Sequence, residues 1–383
     1  MQDQEYEQFR RALFDRLWIE IAPFEHEIED TESIPKDRVF PLLTDMGAWG
    51  LMIPEEYGGV GLTVRQYLPV ISELSKIHGG IRAVVHVHNS MAHAISDLAT
   101  DAQKTEILPG AAAGERSVAF ALTEPDHGTG ADLGTTGERD GDHYVVNGRK
   151  HLITNSDFAT HFIVFAKTDP NAGELGVSAI LVERDTPGFT VESLPETMGC
   201  KGGEHGQLTF DNVQVPVGNV LGEEGRGIAQ MEQALEISRV FVAASSLGTA
   251  ERAFELSLER ARERVTFGKP IAQRQAIQRY LAEMAMDVYA LRLMLADCAD
   301  RWDRGERIPA EASLTKEFGL EAVGRVTDRA LLVFGGVGYT RGHSIERLYR
   351  DARLNWLEEG TPTIQYMVAA RQFLKGYAWD DEW

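Results

Sequence analysis

The hydrophobic pattern over the first part of the chain is helical. Apolar residues recur every four positions at Phe9, Leu13, Leu17 and Ile21, which places them on one face of a helix. The same reasoning predicts three further helices, over residues 66–78, 83–99 and 101–113. Residues 1–115 are therefore predicted to form an N-terminal helical domain.

The pattern changes near Ser117, and the segment 116–220 is predicted to form a β domain. Short runs rich in β-branched and aromatic residues predict strands over 117–123, 143–146, 151–154, 161–167, 177–183 and 207–210. The pairs Asp140-Gly141, Asn147-Gly148 and Pro187-Gly188 separate several of these runs and are typical of turns. Strands at this spacing predict an antiparallel barrel or sandwich of about 100 residues.

Helical periodicity returns in the last segment, residues 221–383. The apolar residues in one stretch alternate between spacings of four and three: Ile277, Leu281, Met284, Val288, Leu291 and Leu295. This alternation is typical of a helix packed in a bundle, so we interpret these residues as core. The chain is thus predicted to be an α+β multidomain protein with helical domains on either side of an all-β insert.

Composition excludes several classes of function. The net charge of the 383 residues is -21, which argues against non-specific binding to nucleic acid or anionic membranes. Cys200 and Cys298 are too few for a disulfide framework or a cysteine-rich metal site, which indicates a reducing compartment. The N-terminus lacks a signal core, and no apolar run reaches about 18 residues. We therefore expect a cytoplasmic protein.

Three histidines in one predicted helix raise the question of a metal site. His86 and His88 do not share a helix face, and no carboxylate lies among the three before Asp97. We interpret His86, His88 and His93 as ordinary helix residues and predict no metal.

The strongest candidate for catalysis lies near the C-terminus. Glu358 and Glu359 directly precede Gly360-Thr361-Pro362, where Gly and Pro interrupt the helical pattern. A carboxylate at such a break, facing a poorly hydrated cleft, has a raised pKa and is a usable base near neutrality. The alternative interpretation is a solvated acidic turn.

A second candidate is the loop that follows the first predicted strand. The strand that contains Phe120 runs into a segment with Gly128, Thr129 and Gly130, which is able to present backbone N–H groups to a ligand. The alternative is a plain surface turn. A glycine-rich linker over 222–227 fits neither the Walker nor the Rossmann spacing.

Taken together, these segments resemble the signature motifs of the acyl-CoA dehydrogenase family. The matching stretches occur in the family's order from about residue 5 to 375: 54–61, 120–132, 152–155, 264–278, 334–339 and 350–365. The resemblance implies an acyl-CoA dehydrogenase-like fold with an N-terminal α-helical domain (1–115), a middle antiparallel β-barrel (116–220) and a C-terminal four-helix bundle (221–383). It also implies FAD between the barrel and the bundle, and a homotetramer.

The implied reaction is the α,β-dehydrogenation of an acyl-CoA thioester to the trans-2-enoyl thioester. By resemblance, Glu359 is the base that removes the α-proton, and the β-hydrogen leaves as hydride to flavin N5. Some family members carry the base on another helix, at the position of Ser238, and a serine there favours Glu359. The thioester carbonyl would be polarised by the backbone N–H of Glu359 and a flavin ribityl hydroxyl. Electron-transfer flavoprotein is the implied electron acceptor.

The resemblance also implies which residues contact the cofactor and the substrate. Those assigned to FAD are Phe120, Leu122, Thr123, Gly128, Thr129, Leu152, Thr154, Arg264, Phe267, Gln275, Gly335, Gly336, Thr361 and Thr363. Those assigned to the substrate are Thr129, Glu236, Arg239 and Gly360. In relatives, the segment around Arg264 reaches the FAD of a neighbouring subunit. From the residues alone, Glu236 and Arg239 could equally form an ion pair within one helix.

The chain departs from the family pattern at several positions. Glu358 replaces a common Tyr, Gly130 an Asp, Leu152 a Trp and Leu332 a Gln. These departures leave open a flavin monooxygenase or nitroalkane-oxidase-like enzyme of the same fold. A non-catalytic acyl-thioester-binding module, a substrate carried by acyl carrier protein, and net enoyl reduction also remain alternatives. We expect the Glu358 side chain to point to solvent.

Overall fold

The computed structural model describes residues 3–377. Its first part is helical, and the three predicted helices correspond to α4, α5 and α6. The helices are α1 (Asp3–Arg16), α2 (Glu25–Thr31), α3 (Lys36–Asp45), α4 (Val64–Ile77), α5 (Gly79–Leu98) and α6 (Asp101–Ala112). Thr63 and Thr100 begin α4 and α6 with capping boxes, in which the threonine hydroxyl and a glutamine three residues later satisfy each other's backbone N–H groups.

A seven-stranded sheet forms the middle of the molecule. Its strands are β1 (Val118–Ala121), β2 (Thr136–Asp140), β3 (His143–Thr154), β4 (His161–Lys167), β5 (Val177–Glu183), β6 (Phe189–Ser193) and β7 (His205–Pro216). The hydrogen-bonded order is β1-β4-β2-β3-β7-β6, with β5 paired to β4. The sequence pattern did not predict β2 and β6.

The sheet is mixed, so the prediction of a purely antiparallel sheet is wrong in part. β1 and β2 each pair with β4 in parallel, whereas the other pairings are antiparallel. The reason is topological: the hairpin of β2 and β3 comes between β1 and β4 in the chain, and β4 then lies between β1 and β2 in the sheet, running in the same direction as both. Closure of the curled sheet into a barrel stays a prediction.

Asn147-Gly148 is not a turn, contrary to the prediction. Both residues lie inside β3, where the pairing with β7 shifts its register between Val146 and Gly148. Gly148 has φ +145, and a Cβ there would lie 2.6 Å from the Thr135 hydroxyl oxygen. This glycine therefore marks a bulge and a close backbone approach.

The C-terminal part is helical apart from one short hairpin. It comprises α7 (Gly227–Glu263), β8 (Val265–Thr266), β9 (Lys269–Pro270), α8 (Gln275–Asp303), α9 (Pro309–Phe334), α10 (Ser344–Ala352) and α11 (Pro362–Leu374). Four of the six predicted core residues of α8 are buried, and Ile277 and Leu281 are partly buried. The four-helix bundle and the domain boundaries stay predictions.

The N-terminal and C-terminal helices share one hydrophobic core, in which Ile71 of α4, Val240 of α7 and Leu291 of α8 are all buried. The sheet has a core of its own around Phe162, Phe189 and Phe210. The sheet therefore packs against a continuous helical body. Over residues 3–377, no helix combines the length and apolar character needed to cross a membrane.

Candidate active site

The irregular segment between α10 and α11 holds Glu359 in an unusual backbone conformation. Glu359 has φ +55 and Gly360 has φ +92, both in the left-handed region. The Lys316 ammonium donates to the carbonyls of Glu358 (2.7 Å) and Gly360 (2.5 Å). The Gln365 amide donates to the carbonyls of Glu359 (3.0 Å) and Gly360 (2.8 Å). These bonds offset the cost of about 1–2 kcal/mol that a left-handed L-residue carries.

The side chain of Glu359 is partly buried and hydrogen-bonded. The Ser238 hydroxyl donates to Glu359 Oε1 at 2.7 Å, and the Ser90 hydroxyl donates to Ser238 Oγ at 3.3 Å. Burial raises the pKa of Glu359 and the neighbouring Glu358 charge adds to this, although the Ser238 hydrogen bond opposes it. The segment before α11 is thus not a solvated acidic turn, and the Glu359 carboxylate has the electrostatics of a base.

The expectation that Glu358 points to solvent is wrong. Its carboxylate pairs with the guanidinium of Arg82 at 3.0 Å, and only 16% of the Glu358 side chain is exposed. Burial acts to raise the pKa of Glu358, but the charge and hydrogen bond of Arg82 lower it overall. The physical reason is that Arg82 is 1% exposed, and a buried cation requires a counter-charge.

Arg82 and Lys316 were missed by the sequence reasoning, yet they organise the region around Glu359. Arg82 Nη2 also donates to Asn355 Oδ1 at 3.1 Å, and Asn355 Nδ2 donates to Ser246 Oγ at 2.9 Å. Lys316 is buried in α9, and burial lowers its pKa to about 8. The available signal was a single cation within an otherwise apolar or small-residue helix stretch, such as Arg82 between Ile81 and Ala83.

Glu236 and Arg239 both lie on α7 but have different surroundings. The Glu236 carboxylate accepts hydrogen bonds from Arg307 (2.6 and 2.9 Å) and from the N–H of Ile308 (2.5 Å). Arg239 is buried, and burial lowers its pKa. Its Nε has no hydrogen-bond partner within residues 3–377. The Glu236 carboxylate is therefore occupied by the residues that precede α9, whereas the Nε–H of Arg239 is available to donate a hydrogen bond.

The loop after β1 is held in place by hydrogen bonds to the carboxylate of Glu124. Glu124 accepts hydrogen bonds from Lys150 Nζ (2.8 Å), Gly134 N (2.6 Å) and Thr135 N (3.0 Å). Lys150 is fully buried, and burial lowers its pKa to about 8. Among the predicted cofactor residues here, Leu122 is buried, Phe120 is partly buried, and the exposed ones are Thr123, Gly128 and Thr129. Hydrogen bonds therefore fix the loop at Glu124, whereas Thr123, Gly128 and Thr129 are exposed at its surface.

Leu152 and Thr154 belong to the end of β3 that lies beside this loop. The pairing of β3 with β7 shifts between Lys150 and Ile153, so Leu152 bulges out with φ +57 and is 52% exposed. Thr154, at the end of β3, is partly buried. His151 N donates to Thr123 O at 2.8 Å, which joins the bulge to the loop.

One further contact links this part of the sheet to the region of Glu359. Asn155 Nδ2 donates to the carbonyl of Val84 on α5 at 3.1 Å, two residues from Arg82. Helix α5 therefore contacts both the residue that follows β3 and Glu358, the neighbour of Glu359.

A second group of predicted cofactor residues lies elsewhere, at the far ends of the C-terminal helices. Phe267 is 96% exposed at the tip of the β8–β9 hairpin, and Arg264 and Gln275 beside it are also exposed. A Cβ added to Gly335 or Gly336 would meet no atom within 4 Å. These residues therefore leave space for a ligand. Thr361 and Thr363 are exposed at the start of α11.

The histidines of α5 have separate environments. His88 contacts the carbonyl of Ala111 at 3.2 Å, and His93 lies 3.5 Å from Asp97. Over the part of the chain that the structure describes, no group of three or more His, Cys, Asp or Glu side chains is arranged to hold a metal ion.

Comparison with known proteins identifies the family. Three family models match in order: "Acyl-CoA dehydrogenase, N-terminal domain" at residues 3–115, "middle domain" at 119–213 and "C-terminal domain" at 225–374. An acyl-CoA dehydrogenase of Bacillus subtilis is 38% identical, with 97% of this chain and 99% of that protein covered. An acryloyl-CoA reductase (NADH) of Anaerotignum propionicum is 36% identical, with 97% and 95% covered.

The solved structure of butyryl-CoA dehydrogenase from Megasphaera elsdenii superimposes with a TM-score of 0.93 at 33% identity, covering 98% of this chain and 99% of that one. The protein is therefore an oxidoreductase acting on CH–CH groups, with a helical domain, a curled sheet and a second helical domain. It belongs to the acyl-CoA dehydrogenase family, whose members are flavoproteins that in general use FAD.

Proposed function

We propose that the protein dehydrogenates an acyl-CoA thioester to the trans-2-enoyl thioester, with Glu359 as the base. The observation that carries this proposal is the Glu359 carboxylate, which has a raised pKa and accepts a 2.7 Å hydrogen bond from Ser238. A base of raised pKa in a site that excludes water suits the weakly acidic α-proton of a thioester. An anaerobic screen of acyl-CoAs for loss of flavin colour tests the proposal.

In this mechanism each protein group has a defined task. Glu359 takes the α-proton, while Ser238 holds its carboxylate and Lys316 holds the backbone on either side of it. The backbone N–H of Glu359 donates to the thioester carbonyl and stabilises the charge that develops there. By resemblance, Arg239 and Glu236 would approach the pantetheine and CoA groups, and Thr129 and Gly360 would contact the substrate.

The residues present fit the flavin end of FAD, because the exposed Thr123, Gly128 and Thr129 of the loop after β1 offer hydroxyl and backbone donors. Phe120, Leu122, Thr123, Gly128, Thr129, Leu152 and Thr154 would hold the flavin end. FAD bound there would accept the β-hydrogen as hydride at N5. Electrons would then pass to an external acceptor, for which the family implies electron-transfer flavoprotein.

We further propose that the second group of residues serves the FAD of a neighbouring subunit. Ser238, beside Glu359, and Glu263, beside Arg264, lie 25 residues apart on the continuous helix α7. At 1.5 Å per residue the separation is about 37 Å, too long for one extended FAD to bridge. A homotetramer built as a pair of dimers would bring Arg264, Phe267, Gln275, Gly335 and Gly336 to a partner's site.

Replacing Arg264 by Ala should weaken FAD retention. The guanidinium is assigned to the FAD pyrophosphate, and a charge-assisted hydrogen bond of this kind contributes about 1.5–3 kcal/mol. The measurement is FAD dissociation followed by flavin absorbance after gel filtration. Arg279→Ala is the matched control, since Arg279 is exposed and pairs with Glu283 within α8. Equal FAD retention in the two variants would contradict the assignment.

Replacing Leu152 by Trp should tighten FAD binding or, through a clash, weaken it. An aromatic stack contributes about 0.5–1.5 kcal/mol beyond area burial, and Leu152 projects from its bulge half exposed. The FAD dissociation constant and turnover are compared with those of Leu175→Trp, another exposed leucine of the β domain. If Leu152→Trp leaves both quantities unchanged, residue 152 does not contact the flavin.

A second candidate function is reduction of an enoyl thioester by the same chemistry in reverse. The specific observation is the similarity to the acryloyl-CoA reductase, at 36% identity over nearly the whole chain. Rapid reoxidation of the reduced protein by an enoyl-CoA, without turnover by an acyl-CoA and an artificial acceptor, would favour it. Rapid reaction of the reduced protein with oxygen would instead favour a monooxygenase-like enzyme.

A further inference from the structure

A buried cation holds the backbone on either side of Glu359. Lys316 is fully buried, and its ammonium donates to the carbonyls of Glu358 (2.7 Å) and Gly360 (2.5 Å). A buried ammonium is costly to place, even when it is hydrogen-bonded. A neutral donor could hold the same segment, as the Gln365 amide does at the carbonyls of Glu359 and Gly360. The presence of a cation here therefore requires a reason beyond holding the backbone.

The reason lies in the peptide group that Lys316 contacts. The Glu358 carbonyl and the Glu359 N–H belong to the same peptide unit, which is trans, so these two groups point in opposite directions. The N–H of Glu358 donates to Leu354 O at 3.1 Å, whereas within residues 3–377 the N–H of Glu359 has no protein acceptor. The unpaired N–H of Glu359 therefore points away from Lys316. It is the group that the proposed mechanism assigns to the thioester carbonyl.

A positive charge at one end of a peptide unit changes the other end. The carbonyl oxygen and the N–H are coupled through the partial double bond between carbon and nitrogen, so a cation at the oxygen makes the N–H a stronger donor. Hydrogen bonds connected in this way strengthen one another by about 10–30% each. The Gln365 amide does not bond to the Glu358 carbonyl, so this effect belongs to Lys316 alone of the two.

We propose that Lys316 is a positioning residue for the reaction, which orients and polarises the Glu358–Glu359 peptide so that the Glu359 N–H binds the thioester carbonyl strongly. This inference rests on the proposed dehydrogenation. Lys316 acts through the peptide group and Gln365 only holds the segment, so the two residues should differ in their effect on the bound thioester.

The first test measures the infrared stretching frequency of the thioester carbonyl in the FAD-loaded protein. The probes are crotonyl-CoA and hexenoyl-CoA, isotope-labelled at that carbonyl, because an enoyl-CoA is a product of the proposed reaction. Binding to the wild type should lower the frequency, since a strong donor polarises the carbonyl. Lys316→Met keeps the length of the side chain but has no donor, and most of the lowering should be lost. Flavin reduction by the matching acyl-CoA should slow about 10- to 100-fold, less than the roughly 100- to 1,000-fold typical of removing an oxyanion donor.

The matched control is Gln365→Met. It removes the donors to the carbonyls of Glu359 and Gly360 but leaves the bonds of Lys316 in place. Gln365→Met should lower stability, because it leaves buried carbonyls with fewer donors. It should nevertheless keep most of the frequency lowering that the wild type shows.

A second test needs no variant at Lys316, so it remains available if Lys316→Met does not fold. Burial lowers the pKa of the Lys316 ammonium to about 8, and the other charges that act on it are those of Glu358, Glu359, Arg239 and Glu317. As the pH rises through this value, the ammonium loses its charge. The carbonyl frequency in the wild type should then return toward that of the free thioester.

The outcomes distinguish this proposal from the proposed function. If no acyl-CoA bleaches the flavin, the proposed function fails, and the role of Lys316 fails with it. If acyl-CoAs bleach the flavin but Lys316→Met keeps the full frequency lowering, the function stands and the role of Lys316 is overturned. Equal losses in Lys316→Met and Gln365→Met also overturn it, because both residues would then only hold the segment. A wild-type frequency that stays constant as the pH rises through 8 overturns it as well.

Discussion

Glu359→Gln should lower the rate of flavin reduction by acyl-CoA by at least the roughly 100- to 10,000-fold that is typical of losing a general base. The glutamine keeps the shape of the side chain and still accepts the Ser238 hydrogen bond, so FAD content and acyl-CoA binding should persist. Stopped-flow bleaching under anaerobic conditions measures the rate, and the flavin spectrum and calorimetry measure binding. Reduction at the wild-type rate would show that the base lies elsewhere.

Two neighbouring carboxylates are the controls. Glu358→Gln should lose stability, because it leaves Arg82 buried with a weaker partner, but it should retain most of the flavin reduction rate in the folded fraction. Glu236→Gln should behave similarly, since Glu236 binds Arg307 and Ile308 instead of facing the reacting carbon. If Glu236→Gln lowered the flavin reduction rate as much as Glu359→Gln, Glu236 would be assigned as the base instead.

The pH dependence of the wild type follows from the same carboxylate. In the proposed mechanism the ionised form of Glu359 is the base, so flavin reduction should rise with pH as this group deprotonates. Because burial raises its pKa, the rate should begin to fall at a higher pH than for an ordinary carboxyl. In Glu359→Gln this fall of the flavin reduction rate at low pH should disappear.

Asp351→Asn should lower the free energy of unfolding by about 3–5 kcal/mol, the range for breaking a buried ion pair. Asp351 is 3% exposed and accepts hydrogen bonds from Cys200 N (2.6 Å), Gly79 N (3.3 Å) and Arg347 Nη1 (2.9 Å). An asparagine provides only one acceptor oxygen, so its amide group would face donors. Denaturant unfolding of the FAD-loaded protein measures the effect.

An exposed aspartate provides the comparison for Asp351. Asp297 pairs with Arg301 one turn away on α8, and 56% of its side chain is exposed. Asp297→Asn should change the free energy of unfolding by less than about 1 kcal/mol. Equal effects of the two substitutions would show that Asp351 does not hold α5, the Cys200 loop and α10 together.

The sequence reasoning predicted the elements whose signals are local. The period of Ile277 to Leu295 identified the core face of α8, and the Gly-Thr-Pro break located Glu359. Register and orientation depend on contacts far along the chain. The parallel pairing of β1 with β4 and the bulge at Gly148 therefore had no local signal of their own.

The same limit explains the error at Glu358. Its partner Arg82 is 276 residues away in sequence, so nothing near Glu358 indicates burial. Lys316, which contacts the carbonyls on either side of Glu359, lies on another helix, 42 residues from Glu358 in sequence. The raised pKa of the Glu359 carboxylate was predicted from its own neighbourhood, whereas the groups that hold this residue required the fold.

The position of α5 has a consequence for how such a protein diversifies. Arg82 and Ser90 lie on one stripe of this helix and contact Glu358 and Ser238, whereas the residues assigned to FAD come from the sheet and the ends of the C-terminal helices. Substitutions on this stripe therefore act first on the surroundings of the proposed base. Directed evolution toward new acyl groups should keep codon 82, because loss of Arg82 would leave Glu358 buried without its counter-charge.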